Sequence, residues 1–194
     1  MLSQTTTHAT LLARLSGGSD GIAWREFCDR YEELIRGFGR RQGLSPNDCD
    51  DILQDVLLAL TKSMPNFTYD PTRGKFRSYL KTVTLHAIQR RWRQKSPEAR
   101  LPDGSEPGLP GTDQSEQLWD AEWRQYHLRL AMKTIRAEFN PTDVAAFELY
   151  VGANRDAREA ANELGVSIDS IYQAKSRILK RLGRLIALQT EEEG

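Results

Sequence analysis

The sequence predicts an all-α protein: two small helical domains joined by a flexible Pro/Gly-rich acidic linker, with a helix-turn-helix as the C-terminal domain. Apolar residues recur at helical spacing in both halves of the chain, and no convincing polar/apolar alternation indicates a strand. Between the halves lies a segment too rich in proline and glycine for regular structure. A length of 194 residues provides a modest core for each of two domains. The predicted parts are an N-terminal extension over 1–20, a first domain over 21–95, the linker over 96–117, a second domain over 118–188 and an acidic tail over 189–194.

The composition excludes several classes of protein. Hydrophobic residues make up 39% and charged residues 28% of the chain, and no apolar run approaches the roughly 20 residues that cross a bilayer. The N-terminus lacks the basic start and long apolar run of a signal peptide, so we expect a cytoplasmic protein without a membrane partner. Cys28, Cys49 and the dispersed histidines match no disulfide framework, metal-ligand spacing or nucleophile–base pair. We therefore expect no catalysis, no metal and no cofactor.

An acidic helix is predicted from about Asp50 to Leu60, with Ser45 and Pro46 as its start signal. Its core arc is predicted to contain Ile52, Leu53, Val56, Leu57, Ala59 and Leu60. Its opposite arc carries Asp50, Asp51, Gln54 and Asp55, with Leu58 among them. Two interpretations stay open: a solvated acidic face with one stray exposed leucine, or an apolar docking point ringed by acids for a basic partner.

A basic helix is predicted next, over about residues 75–95. Its inner stripe is predicted to contain Phe76, Leu80, Val83 and Ala87. Its polar stripe carries Ser78, Thr82, His86, Gln89 and Arg93, with Tyr79 at the margin. Such a helix is either simply solvated, or suited to unpaired DNA, because aromatic side chains stack on bases and cations follow the backbone.

The linker over 96–117 combines four prolines and three glycines with few apolar residues. The residues from Asp103 to Trp123 include acids but no lysine or arginine. The formal net charge of zero therefore averages two basic segments and the acidic material between them.

Residues 156–186 have the spacing of a helix-turn-helix. Gly165 is predicted to end the first helix in the left-handed conformation, and Ser167 to cap the second. The apolar arc of the second helix contains Ile168, Ile171, Ala174, Ile178, Leu179 and Leu182, and Tyr172 and Lys175 lie beside it. The other arc mixes Asp169, Ser170, Gln173, Ser176, Arg177, Lys180 and Arg181. The alternatives are an ordinary αα-hairpin and a recognition helix that enters the DNA major groove, and the polar residue types favour the second.

Taken together in this order, these segments resemble the small bacterial sigma factors of the extracytoplasmic-function (ECF) group, which confer promoter recognition on RNA polymerase. Residues 22–95 are similar to the family's minus-10 domain, through CDDILQDVLLAL and FRSYLKTV. Residues 119–188 are similar to its minus-35 domain, through FELYVGANRDAREAANELGVSIDSIYQAKSRILKRL.

The resemblance implies three binding surfaces. The acidic helix would dock on the clamp helices of the large subunit of core polymerase through Asp50, Asp51, Leu53, Gln54, Asp55 and Leu58. The basic helix and the loop before it would capture the melted minus-10 strand through Phe67, Arg77, Tyr79, Lys81, Thr82, His86, Gln89, Arg90 and Arg93. The helix-turn-helix would read the minus-35 duplex through Ser167, Ser170, Tyr172, Gln173, Ser176, Arg177, Lys180 and Arg181.

The implied partners are core RNA polymerase and promoter DNA, duplex and melted, with an anti-sigma factor as a further partner class. His86 stands where many members of the family have asparagine, so the base preference here is open. The main rival is a conventional helix-turn-helix regulator that binds an operator as a dimer. That rival accounts for residues 156–186 but leaves the acidic helix and the second basic segment unexplained. A metalloenzyme or phosphohydrolase fails because Asp50, Asp51 and Asp55 lack a ligand motif.

Overall fold

A computed structural model describes residues 8–17, 20–66, 76–95 and 112–193, and this part of the chain is all-helical, as predicted. Phe67 and residues 96–111 of the expected linker lie outside the described residues. The helices are α1 (His8–Ser16), α2 (Gly21–Arg41), α3 (Pro46–Ser63), a 3-10 turn (Met64–Asn66), α4 (Phe76–Lys95), α5 (Thr112–Glu138), α6 (Pro141–Phe147), a π-helical turn (Glu148–Gly152), α7 (Ala157–Leu164) and α8 (Ile168–Glu193). Two compact units result: the first is Met1–Tyr126 with Glu192–Gly194, and the second is His127–Glu191.

The predicted helix boundaries at Ser45, Gly165 and Ser167 are confirmed. Ser45 caps α3 by accepting from the Asp48 amide at 3.3 Å. Gly165 ends α7 with φ 65° and ψ 32°, a left-handed conformation that glycine adopts without a Cβ clash. The Ser167 hydroxyl accepts from the Ser170 amide at 3.1 Å and so satisfies a free N–H at the start of α8.

The core of the first unit is aromatic. Tyr31 on α2 stacks on Tyr126 of α5 at 5.2 Å between ring centroids, and Phe27 meets Phe76 edge-on at 6.1 Å. Such pairs contribute about 1 kcal/mol each beyond the apolar area that they bury. Aromatic rings from α2, α4 and α5 therefore hold these helices together.

The start of α5 differs from the sequence prediction. Residues 112–117, expected in the linker, are helical, and residues 118–126, expected in the second domain, belong to the first unit. The reason is a buried stripe that includes Trp119, Trp123 and Tyr126, whose apolar surface outweighs the acidic character of this segment.

Other predictions about the core require correction. The N-terminal extension contributes α1, whose Leu11, Leu12 and Leu15 are buried in the first unit. On α3, Leu53 is buried and Ala59 is exposed. The burial of Leu53 agrees with its predicted place in the core arc of α3, and its contribution to polymerase docking stays a prediction. The residues of the expected acidic tail continue α8 as far as Glu193.

Asp48 joins the start of α3 to the end of α4. Its buried carboxylate accepts from Ser45 Oγ at 2.5 Å, from Arg91 Nε at 2.8 Å and from the Lys95 ammonium. These bonds, with that of Lys95 the largest contribution, hold the pKa of Asp48 well below its ordinary value. The carboxylate is therefore charged in the folded unit at all but very low pH.

We expect Asp48→Asn to lower the free energy of unfolding of the first unit at neutral pH. The decrease of this free energy between neutral and acid pH should also be smaller in the variant than in wild type. A carboxyl group whose pKa is lower in the folded than in the unfolded state stabilises the fold at pH values above its unfolded-state pKa of about 3.9. This stabilisation is lost as the pH falls below about 3.9 toward the lower pKa of the folded state. Urea unfolding followed by tryptophan fluorescence between about pH 7 and pH 2 measures this unit, since all four tryptophans lie in it. Asp29→Asn, at an exposed position of α2, is the control. If the free energy of unfolding depended on pH equally in Asp48→Asn and in wild type, the charged Asp48 carboxylate would not stabilise the first unit.

The second unit has two small cores. One cluster joins α5 and α6 to α8 and contains Ala131, Ile135, Val144, Phe147, Ile178 and Leu182. The other joins α6 and α7 to α8 and contains Ala146, Ala157, Ala160, Ala161, Ile171 and Ala174. Five of these six residues are alanines, whose small side chains allow the helices to pack closely. Leu179, predicted in the apolar arc, is exposed because it lies about 100° around the helix from Ile178.

Candidate functional site

The outward face of α3 carries an apolar residue among acids. Leu58 is 54% exposed, and Asp51, Gln54 and Asp55 precede it at helical spacing on the same face. Asp50, Asp51 and Gln54 are exposed, and Asp55 is half-buried. We call Asp50, Asp51, Gln54, Asp55 and Leu58 the acidic patch.

Two acids of the acidic patch are already paired within the first unit. Arg36 Nε lies 2.8 Å from Asp50 Oδ1, and Arg91 lies 2.5 Å from Asp51 Oδ2. The hydrogen bond with Asp50 also raises the pKa of the Arg36 guanidinium. Asp55 makes no ion pair within the described ranges. No sequence pattern indicates these pairs, since Arg36 lies 14 residues from Asp50 and Arg91 lies 40 residues from Asp51 along the chain.

The predicted polar stripe of α4 is largely exposed. Ser78, Thr82, His86, Arg90 and Arg93 are exposed, and Gln89 is half-buried. We call Thr82, His86, Gln89 and Arg90 the α4 stripe. Tyr79, at its margin, is oriented by a 2.6 Å bond between its hydroxyl and Ser63 Oγ.

Two of the predicted minus-10 cations are paired with carboxylates of α5. Arg77 bonds to Asp120, and its guanidinium lies 5.2 Å from the ring centroid of Trp123. Lys81 bonds to Glu116. The acidic start of α5 therefore neutralises part of the basic surface that the sequence predicts for α4.

The outward face of α8 is polar, as predicted. Gln173, Ser176 and Lys180 are exposed along its centre, and Ser167 and Ser170 bond to each other at 2.8 Å beside its start. Lys180 makes no ion pair in the described part of the chain. These side chains can meet base edges and phosphates without breaking an internal ion pair.

The arginines at one margin of α8 are paired. Arg177 lies 2.9 Å from Asp143, yet its side chain is 57% exposed. Arg181 makes two bonds of 2.7 and 2.6 Å to Glu138 and lowers the pKa of that carboxyl. Both arginines therefore brace α8 against α5 and α6. Sequence reasoning missed this bracing because the carboxylates lie more than 30 residues away.

None of the helices in the described ranges is long and apolar enough to cross a membrane. Residues 27–98 match the family model of Sigma-70 region 2. These residues contain most of α2 and all of α3 and α4, and therefore both the acidic patch and the α4 stripe.

A curated relative extends the similarity along the chain. RNA polymerase sigma factor NccH of Alcaligenes xylosoxydans xylosoxydans is 26% identical over 186 residues, which cover 91% of this chain and 92% of the relative. A solved structure of CnrH in complex with the cytosolic domain of CnrY is 18% identical and covers 93% of this chain and 97% of that one, with a TM-score of 0.38, too low to support a comparison of folds. The region 2 match and the similarity to NccH confirm the resemblance to ECF sigma factors stated from the motifs: residues 27–98 contain a Sigma-70 region 2 domain, and most of the chain is similar to an RNA polymerase sigma factor.

Proposed function

We propose that this chain binds core RNA polymerase through the acidic patch, directs it to specific promoters and helps to melt the minus-10 element. The observation that carries the proposal is the position of Leu58, a large apolar residue exposed among acids within the region 2 match. An apolar centre ringed by charge is the arrangement of a docking point, because the apolar contact supplies affinity and the charges select the partner. The clamp helices of the large subunit are the proposed partner.

The α4 stripe is the proposed surface for the melted minus-10 strand. Its hydroxyl, imidazole, amide and guanidinium groups can bond to the edges of unstacked bases, and Arg90 makes no ion pair in the described ranges. Arg77 and Lys81 were predicted in the same set, but their ion pairs with α5 leave them less available. The favourable free energy of binding these unpaired bases would offset the cost of separating the two strands.

The proposed role of α7 and α8 is that of a helix-turn-helix on the minus-35 duplex. Gln173, Ser176 and Lys180 are central on the outward face of α8. An α-helix fits the major groove, where each base pair shows a distinct set of donors and acceptors. A dimeric operator-binding regulator would use this surface too, but it gives no reason for the acidic patch.

Co-purification with core RNA polymerase tests the proposal. The tagged chain and purified core enzyme should elute together in size-exclusion chromatography, and the complex should start transcripts that the core enzyme alone does not. A chain that binds duplex DNA but never associates with the core enzyme would favour the regulator instead.

The minus-35 surface gives a prediction of its own. Gln173→Ala and Arg177→Ala should each weaken binding to a preferred minus-35 duplex by about 1–3 kcal/mol and relax the base preference at defined positions. Lys180→Ala should weaken all sequences alike, because phosphates carry no sequence information. Selection from a randomised duplex library measures these preferences, with Lys133→Ala, an exposed cation on α5, as the control. A uniform loss with Arg177→Ala would restrict that residue to bracing α8.

A further inference from the structure

The segment before α7 departs from α-helical geometry. Glu148–Gly152 forms a π-helical turn in which the Ala153 amide donates to the Glu148 carbonyl at 2.8 Å. Asn154 follows with φ 52°, the one non-glycine residue at positive φ in the described part of the chain. Both conformations cost free energy and recur at functional positions of proteins.

The π-helical turn is fixed at both sides. The Arg136 guanidinium on α5 donates to the Glu148 carboxylate at 3.1 and 2.8 Å. Leu149 and Tyr150 pack against the cluster of small residues between α7 and α8. The turn is thus held in place within the second unit, and its side chains have defined positions relative to α8.

Tyr150 extends from this turn to two residues of α8. Its ring meets the ring of Tyr172 edge-on, with 5.7 Å between centroids and 77° between planes. The Lys175 ammonium lies 5.0 Å from the centroid of the Tyr150 ring. Tyr172 is 48% exposed. At about 100° per residue, Tyr172 and Lys175 lie on the margin of α8 opposite Arg177.

We propose that Tyr150 is a positioning residue for duplex recognition: it fixes Tyr172 and Lys175 at the margin of α8 in the orientation that meets the DNA backbone. This inference rests on the proposed role of α8 on duplex DNA. A lysine or tyrosine that is already ordered loses less conformational entropy on binding. The ring of Tyr150 supplies that order through an edge-on aromatic contact and a cation–π contact.

The two margins of α8 are then held by different chemistry. Carboxylates of Asp143 and Glu138 bond to the arginines of one margin, whereas an aromatic face holds the lysine of the other. A carboxylate opposes the approach of a phosphate, while a neutral ring leaves the charge of Lys175 uncompensated. Lys175 is therefore the marginal cation better suited to a phosphate contact.

The test compares Tyr150→Leu, which removes the ring, with Tyr150→Phe, which retains it, in the full-length chain. The probe is a duplex enriched by the wild-type protein from a randomised library. Tyr150→Leu should weaken binding about fivefold and Tyr150→Phe less than about twofold, in line with the size of an exposed cation–π contact. Lys175→Ala should lower the duplex affinity of the wild-type protein but lower that of Tyr150→Leu only slightly further, because the effects of substitutions at coupled residues are not additive.

The outcomes separate this inference from the proposed function. Absence of any duplex binding by wild type overturns both. Wild-type binding with unchanged affinity in Tyr150→Leu, or full additivity with Lys175→Ala, overturns the positioning role alone. If circular dichroism shows that Tyr150→Leu is unfolded, the test uses Lys175→Ala and Tyr172→Leu instead. Unchanged duplex affinity in both of these variants would overturn the proposal.

Discussion

Leu58→Arg is expected to abolish binding to core RNA polymerase while leaving the helical content of the protein unchanged. Leu58 is exposed and lies opposite the core residues of α3, so folding should tolerate a long charged side chain there. In the complex, the substitution removes an apolar contact and places a cation among acids that we expect to face a basic partner. Losses at the centre of an interface reach about 2–4 kcal/mol, enough to reduce co-purification by roughly 30-fold or more.

The experiment combines size-exclusion co-elution with circular dichroism of the free protein. Ile22→Arg is a matched control, since Ile22 is 75% exposed on α2 and outside the acidic patch. Asp55→Asn should cause a smaller loss than Leu58→Arg, because a charge at the rim of an interface contributes less. Unfolding of Leu58→Arg would show that this residue serves the core, and full binding would move the docking surface away from α3.

Replacing His86 and Gln89 together by alanine is expected to impair promoter opening more than promoter binding. Both lie on the α4 stripe, away from the buried Leu80 and Ile88. Duplex DNA hides the faces of its bases, so this helix can use base contacts only after the bases unstack. Each lost hydrogen bond to a base is worth about 0.5–1.5 kcal/mol, and with both lost, open complexes should decrease by roughly tenfold.

Permanganate footprinting of unpaired thymines, alongside a duplex-binding assay of the holoenzyme, separates these two steps. A promoter with a pre-melted minus-10 bubble should recover only part of the loss, because strand capture is also weakened. Gln94→Ala, an exposed position on the same helix outside the predicted set, is the control. Normal opening by the double variant would place the minus-10 contacts elsewhere in the chain.

Local signals in the sequence were reliable guides to this structure. Ser45, Gly165 and Ser167 mark helix ends because their effect depends on the adjacent backbone alone. Leu58 was predicted to be exposed because helical periodicity alone separates it from Ile52 and Val56. The polar stripe of α4 and the polar face of α8 followed from the same periodicity.

Features that depend on distant contacts could not be predicted. The composition predicted a linker up to residue 117 and placed Trp119 in the second domain, and only the packing of Trp119 against Phe38 of α2 shows that this helix belongs to the first core. The ion pairs of Arg77 and Arg181 join residues 43 positions apart, a separation at which no sequence pattern operates. Tyr150 was not singled out, because its relation to Lys175 depends on a π-helical turn that composition does not indicate.

The internal ion pairs of Arg77, Lys81, Arg177 and Arg181 have a consequence for the thermodynamics of DNA binding. A protein cation that neutralises a phosphate releases condensed counterions from the DNA, with a slope of about −0.9 in log K against log salt for each contact on duplex DNA. A cation that keeps a carboxylate beside it neutralises the phosphate only in part, so fewer counterions are released. Most of the counterion release should then come from phosphate contacts of cations such as Lys180 and Arg90, which make no ion pair in the described residues. The affinity of this protein for DNA should therefore depend less steeply on electrolyte concentration than the number of its basic residues suggests.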